Sequence, residues 1–427
     1  MAVASTPPLQ LVVAALLALS LSTTASSSPA PANRSSCYKR LFSFGDSLTD
    51  TGNYIIHYSN ASGPVLALPY GETFFGHPTG RWSDGRLIID FIVERLGFQY
   101  WPAYLKGAAG KSPAEEFRYG ANFAVAAATA LSQDFFLKKN LRALLVLFPS
   151  TRTFSLLPPP RRHPRSLPAA ARLPVKVAAR ICCLEPAVDL LTPSPIPPYS
   201  LGVQIDLFKK VLAMIASTDQ ERNEVMASSL FLVGEIGLND YNHPFLQNKT
   251  MEWVRPLVPQ VIRSIVLSIE SLIELGAKTM YVPGIFPLGC TPLYLSLFPG
   301  DDRDPATGCI RGLNDLILVH NHMLEAKLEE LRRDHPSVSI TYVNSYDNVL
   351  GLITAPTQNG FDKETVLEAC YPVFISGSAA VPCLDPSRHV NFDGLHMTEA
   401  AYKLMARGML DGPFAAPPIM STCNHSC

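Results

Sequence analysis

Short apolar runs of strand length alternate along this chain with longer stretches of helical spacing, and no other feature limits its fold as tightly. Residues 40–44, 117–125, 229–233, 278–282 and 338–343 read as strands. Residues 86–96, 203–216, 253–275 and 399–410 carry apolar residues at helical spacing, with Gly276 as the stop after the third. Leu313, Leu316, Ile317, His320, Met323, Leu324, Leu328 and Leu331 share one face of a further, long helix. This alternation predicts an α/β fold, a parallel sheet covered by helices on both faces. No repeat period is present.

Composition narrows the class. Of 427 residues, 47% are hydrophobic and 17% charged, which is enough apolar surface for a large core and excludes wholesale disorder. A net charge of −1 offers no global basis for a nucleic-acid partner. Residues 9–21 are apolar except for Gln10 and Ser20, and small residues follow from Ser22 to Ala32. The run is too short to span a membrane and has the form of a secretory leader, cleaved after Ala25 or Ala32. No later segment reads as an anchor, so the expectation is a secreted protein without a transmembrane span. Sequons at Asn33, Asn60, Asn248 and Asn424 and nine cysteines suit that compartment. Cys290 with Cys309, and Cys370 with Cys383, flank polar loops and are expected to form local bridges, whereas Cys37, Cys423 and Cys427 are left unassigned. No cysteine or histidine spacing suggests zinc.

One segment resists assignment. Between Leu141 and Pro198 lie 12 of the chain's 37 prolines, eight Arg or Lys and two acids, and no glycine occurs from Ala121 to Leu201. Prolines at that density break helix and strand alike. The segment reads either as a disordered basic insertion or as sequence foreign to the fold.

Two constellations carry chemistry. In Phe44-Gly45-Asp46-Ser47-Leu48-Thr49-Asp50 a strand runs into a turn at its C-terminal end, where open α/β sheets place their ligands. Ser47 is expected near a helix start, either as a helix cap or as a nucleophile in need of a neighbouring base. In Asp393-Gly394-Leu395-His396 the glycine allows a tight turn, so that the Asp393 carboxylate can reach the His396 ring and fix its tautomer. His389, with Asp385 before it, is a local rival that spacing does not exclude. Gly120, in Tyr119-Gly120-Ala121-Asn122, and Asn239, in Gly237-Leu238-Asn239-Asp240, could donate hydrogen bonds to an oxyanion or simply be turn residues.

Ser47, Gly120, Asn239 and His396 occur in this order in surroundings that resemble the plant GDSL esterase/lipase family, including its secreted acetyl- and sinapoyl-esterase-like members. Pro69-Tyr70-Gly71-Glu72-Thr73-Phe74-Phe75, Pro78-Thr79-Gly80-Arg81, residues 83–91 and Val282-Pro283-Gly284 extend the likeness over most of the chain from about Leu41 to Met405. The resemblance implies a three-layer α/β/α sandwich with a roughly five-stranded parallel sheet. It implies Ser47 as nucleophile, His396 as general base and Asp393 as its orienting carboxylate. The oxyanion hole would comprise Ser47, Gly120 and Asn239. The reaction is then hydrolysis of a small-molecule or cell-wall acyl ester through an acyl-enzyme, with acyl transfer to an alcohol as the alternative, or a catalytically impaired protein. No metal or organic cofactor is implied. The expected organisation is a leader over 1–25, one hydrolase domain over 38–412 interrupted by 141–195, and a tail over 413–427. The chain departs from the family at Leu238, where glycine is usual, at Phe392, where tryptophan is usual, and in a shortened loop after Cys370.

Overall fold

In the computed structural model, residues 37–58, 63–98, 103–141, 143–146, 191–194, 196–375 and 381–423 are described. The leader, the sequons at Asn33, Asn60 and Asn424, and residues 147–190 lie outside them. Five parallel strands form the central sheet in the order β2-β1-β5-β6-β7. They are β1 (Arg40–Phe44), β2 (Gly120–Asn122), β5 (Ser229–Val233), β6 (Thr279–Pro283) and β7 (Ser339–Val343). Between β2 and β5 the chain adds a separate antiparallel pair, β3 (Ala143–Val146) with β4 (Leu191–Ser194). Thus both edges of the proline-rich segment pair as strands, although the composition argued against strand there.

Helices of eight or more residues are α1 (Ile88–Arg95), α2 (Leu201–Ile215), α3 (Asp219–Ala227), α4 (Leu238–Phe245), α5 (Val258–Glu274), α6 (Arg311–Asp334), α7 (Ser345–Thr354) and α8 (Glu399–Leu410). Successive residues of β1 point to opposite faces. Phe42 and Phe44 meet Phe208 of α2 at 4.8 and 5.9 Å between ring centroids. Ser43, between them, shares a cavity with Ile89 of α1, Asn348 of α7 and Met405 of α8. Helices therefore cover both faces, which is why the strands are apolar runs rather than alternating ones. The strands at 229–233 and the helix at 399–410 have the boundaries read from the sequence. The strand read over 117–125 is only three residues long, because residues 113–116 form a helical turn and those after Asn122 leave the sheet. The apolar face of α6 is buried as its spacing predicts, except that Met323 is half-buried.

Three of these helices, α3, α4 and α7, escaped the sequence reading. α4 follows Gly237, whose φ of +118° only glycine adopts easily, so the start looked like a turn. α7 is capped by Asn344, whose side chain accepts from Asp347 N–H. Cys290–Cys309 and Cys370–Cys383 are bridged, and Cys37 pairs with Cys423 across the domain. The residues read as a tail from 413 are packed as far as that bridge: Ala415 bridges to Val343, and Ile419 is fully buried. Among the described residues, one helical stretch, Met251–Glu274, is long and apolar enough to cross a membrane. Within it, Val261, Ile265 and Ile269 of α5 are buried in the core.

Candidate active site

The sheet order makes β1 the branch point, since the chain crosses to β2 on one side and to β5 on the other. A crevice opens at the C-terminal ends of strands where connections diverge in this way. Gly45 leaves β1 with φ +151°, and a Cβ there would stand 2.9 Å from the Glu235 carbonyl oxygen. Gln204 of α2 pins it, its Nε2 donating to Gly45 O at 2.8 Å and its Oε1 accepting from Gly45 N–H at 2.9 Å. The chain then turns: Thr49 and Asp50 N–H both donate to Asp46 O. Ser47 sits in this turn rather than at a helix start. The first helical residues, Asn53–His57, come later, and it is Asp50 that serves them, by accepting from Gly52, Asn53 and Tyr54 N–H.

His396 approaches from the loop before α8. Gly394, at φ +111°, lets the loop fold back, and its N–H donates to Asn391 Oδ1 at 2.7 Å. Asp393 Oδ1 accepts from the Leu395 and His396 N–H groups. Its Oδ2 lies 2.7 Å from His396 Nδ1, and His396 Nε2 lies 2.8 Å from Ser47 Oγ. With Nδ1–H donated to the carboxylate, Nε2 is the acceptor that faces the serine hydroxyl. All three residues are at least nine-tenths buried. The Trp82 ring lies along the imidazole, 5.0 Å away and tilted by 34°. His389 is half-buried, and its Nδ1 lies 3.3 Å from its own loop's Asp385 O.

Gly120 does not reach this site. It opens β2 opposite Leu41, three residues before β1 ends, and so lies about 10 Å short of the sheet's C-terminal edge. Its N–H donates to Phe117 O, and glycine is required there because φ is +110° and a Cβ would collide with the Leu41 carbonyl. The glycine serves close strand packing, not substrate approach. Ala127 takes the position in the pocket, lining it together with Ser47, Asn239 and His396. It is one of three non-glycine residues at positive φ among those described, at +64°. Its carbonyl accepts from His243 Nε2 at 3.1 Å, while neither its N–H nor that of Ser47 donates to any described residue. Asn239, second in α4, is in place, but both its Nδ2 hydrogens are committed, to Asp46 Oδ2 at 2.9 Å and Ala128 O at 3.0 Å. Leu238, the departure noted above, is buried at the first position of α4.

Buried acids clamp these parts together. Asp50 also accepts from Ala126 N–H, and Asp240 accepts from Ala130 and Leu131 N–H. Burial pushes Asp46 up to about 7, despite the opposing influence of the Leu48 N–H and of His396. Burial likewise raises Asp240 to about 7 and Asp50 to about 6, and holds Glu235 well above the carboxylate range with Asp46 adding to the effect. Burial lowers His243 to about 4, so it is neutral near pH 7. Asn242 also lines the pocket, and the rest of the wall is largely apolar, formed by Tyr54, Pro64, Trp82, Leu246, Leu293, Leu297, Phe374 and Leu395. Cys370, Cys383 and His389 offer donor atoms within 4.8 Å of one another, but the two sulfurs are joined in a disulfide and are not thiolates that could hold a metal.

A family model described as GDSL-like lipase/acylhydrolase matches residues 41–409. Sinapine esterase of Brassica napus is 38% identical over 401 residues, covering 90% of this chain and 88% of that protein. Two GDSL esterase/lipases of Arabidopsis thaliana are 37% and 38% identical over 402 and 403 residues. Each match covers 91% of this chain, and 89% and 88% of the respective relative.

Proposed function

Because the chain belongs to the GDSL-like lipase/acylhydrolase family and is a carboxylic ester hydrolase, we propose that it acts through a Ser47–His396–Asp393 triad and an acyl-enzyme. The observation that carries this reading is the unbroken relay from Ser47 Oγ to His396 Nε2 and from His396 Nδ1 to Asp393 Oδ2, at 2.8 and 2.7 Å. Ser47 Oγ attacks the ester carbonyl carbon as its proton passes to His396 Nε2. The carbonyl π pair moves onto oxygen, where the unengaged N–H groups of Ser47 and Ala127 receive it. Asn239 supplies a third donor by releasing Asp46 or Ala128. Collapse of the intermediate breaks the bond to the alcohol, which leaves with the proton from His396. Water then attacks the acyl-Ser47 ester, giving its proton to His396, and the acid departs as Ser47 recovers its hydrogen.

The substrate is a small-molecule ester with an uncharged acyl group, because among the described residues His396 and the neutral His243 are the only imidazoles on the wall and no carboxylate or ammonium lines it. Export to an oxidising compartment belongs to the same proposal. It is supported by the three disulfides and by the leader-like run over 9–21, and the exposed sequon at Asn248 is compatible with it. The test is a panel of esters with uncharged acyl groups, from acetyl to long-chain, with sinapine included, assayed on the purified protein and its Ser47→Ala variant. Hydrolysis confined to the unsubstituted protein is expected. Equal hydrolysis by Ser47→Ala would overturn the reading.

A further inference from the structure

We infer that Tyr70 is a positioning residue for the triad, its phenol donating to the same Asp393 oxygen that holds the His396 ring and so setting how much negative charge that ring meets. The inference rests on the triad reading above. Tyr70 Oη donates to Asp393 Oδ2 at 2.8 Å, beside the 2.7 Å contact of His396 Nδ1 with that oxygen. Asp393 Oδ1 is filled by two backbone N–H groups, so the carboxylate is saturated by four donors from two separate segments. Tyr70 is wholly buried, its ring edge-on to Phe392 at 5.0 Å and Trp82 at 6.0 Å. The flanking backbone is tied down by Gly71 N–H to Ser83 O and Thr73 N–H to Asp84 O. Burial, with Asp393 adding to it, raises the phenol well above its ordinary value, so the group donates throughout the working pH range.

A buried phenol needs one acceptor, and any carbonyl would satisfy it. Here it takes the oxygen that the imidazole uses, and two donors on one oxygen divide its charge. Without the phenol, more of the carboxylate's charge falls on the ring, which favours the protonated imidazole and disables it as a base up to a higher pH. The other titratable groups facing this pair are Asp46 from the turn after β1, Tyr402 of α8 and, beside Tyr70, Tyr371. All three remain in a Tyr70→Phe protein.

The experiment is the pH profile of kcat/KM for p-nitrophenyl acetate with Tyr70→Phe, Tyr371→Phe and Ser47→Ala. In Tyr70→Phe the acid limb is expected to move up by about half a pH unit or more, so that kcat/KM at pH 6 falls at least roughly threefold through kcat. Tyr371→Phe, which lacks a bond to Asp393, leaves the limb in place. A uniform fall without a shift, or no change, would overturn the inference while leaving the triad standing. Activity persisting in Ser47→Ala would instead remove the triad. If Tyr70→Phe does not fold, 3-fluorotyrosine at position 70 keeps the shape and strengthens the donor. The limb must then move to lower pH, and a stationary limb overturns the inference.

Discussion

At the scale of single residues, the side chains of the proposed triad were legible and the backbone donors of the proposed oxyanion site were not. Ser47, Asp393 and His396 stand out because a hydroxyl, a carboxylate and an imidazole at strand-end turns suggest chemistry by their type. Ala127 carries no such mark. Its interest is an N–H left unengaged by a backbone at φ +64°, and nothing in the alanine-rich run from Ala124 to Ala130 announces that. Gly120 misled for the complementary reason: its N–H was read as a possible oxyanion donor, while it donates to Phe117 O and the missing side chain clears space for the Leu41 carbonyl. Asn239 tests this level. Asn239→Ala is expected to lower kcat by about 10²–10³ with little change in KM, the size seen when one oxyanion donor is removed. Ala127→Gly keeps the N–H and suits the left-handed backbone, so its rate should stay within a few-fold of the unsubstituted protein. Steady-state kinetics of the two variants check both outcomes. An unchanged kcat in Asn239→Ala would remove it from the oxyanion site.

At the scale of elements, periodicity located most strands and long helices and failed where a turn residue begins a helix. α4 opens on Gly237 and contains Pro244, two signals that argue for a loop, yet its burial against the pocket and the clamp of Asp240 on Ala130 and Leu131 hold it helical. Tertiary packing outweighs propensity in such a short element. The proline-rich segment has a similar lesson at its edges. Val146 pairs with Leu191 in the antiparallel β3–β4 ladder, so residues 147–190 leave and return at adjacent points. Replacing 147–190 by Asn-Gly closes that pair with a two-residue turn suited to the hairpin twist. The shortened protein is expected to retain its thermal transition and its ester hydrolysis to within a few-fold. Loss of both would show that the excised residues are required by the fold.

At the scale of the molecule, the parallel sheet followed from wholly apolar strands alternating with helices, and its order places the candidate site at the branch point of β1. The closure by Cys37–Cys423 was not legible, since spacing cannot choose among distant cysteines. The buried acids give the whole fold a pH dependence. Asp46 and Asp240 titrate at about 7 and Asp50 at about 6 in the folded chain, all above their ordinary value. Their favourable contribution is complete below about pH 4 and is lost as pH rises through those values, by up to about 1.4 kcal/mol per pH unit for each group. His243 at about 4 and His320 at about 3 act the other way, losing their contribution as pH falls below about 6.5. Between pH 6.5 and 8 the loss from the several raised acids exceeds the remaining gain from the two histidines, whose unfolded-state titration is centred near 6.5, so stability falls as pH rises. Thermal unfolding should show a higher midpoint at pH 6.5 than at pH 8. Glu235→Gln, which removes a further acid that burial raises, should reduce that difference. A midpoint that rises over this interval would contradict the assignment.

The central claim is that Ser47 is activated by His396, and covalent capture tests it without knowledge of the substrate. The folded protein is treated with a fluorophosphonate, and the modified peptide is located by mass spectrometry, with Ser47→Ala and His396→Ala proteins alongside. A single adduct on Ser47 is expected, absent from both variants while their circular dichroism is unchanged. A folded protein that takes no label, or one labelled equally well without His396, would contradict it.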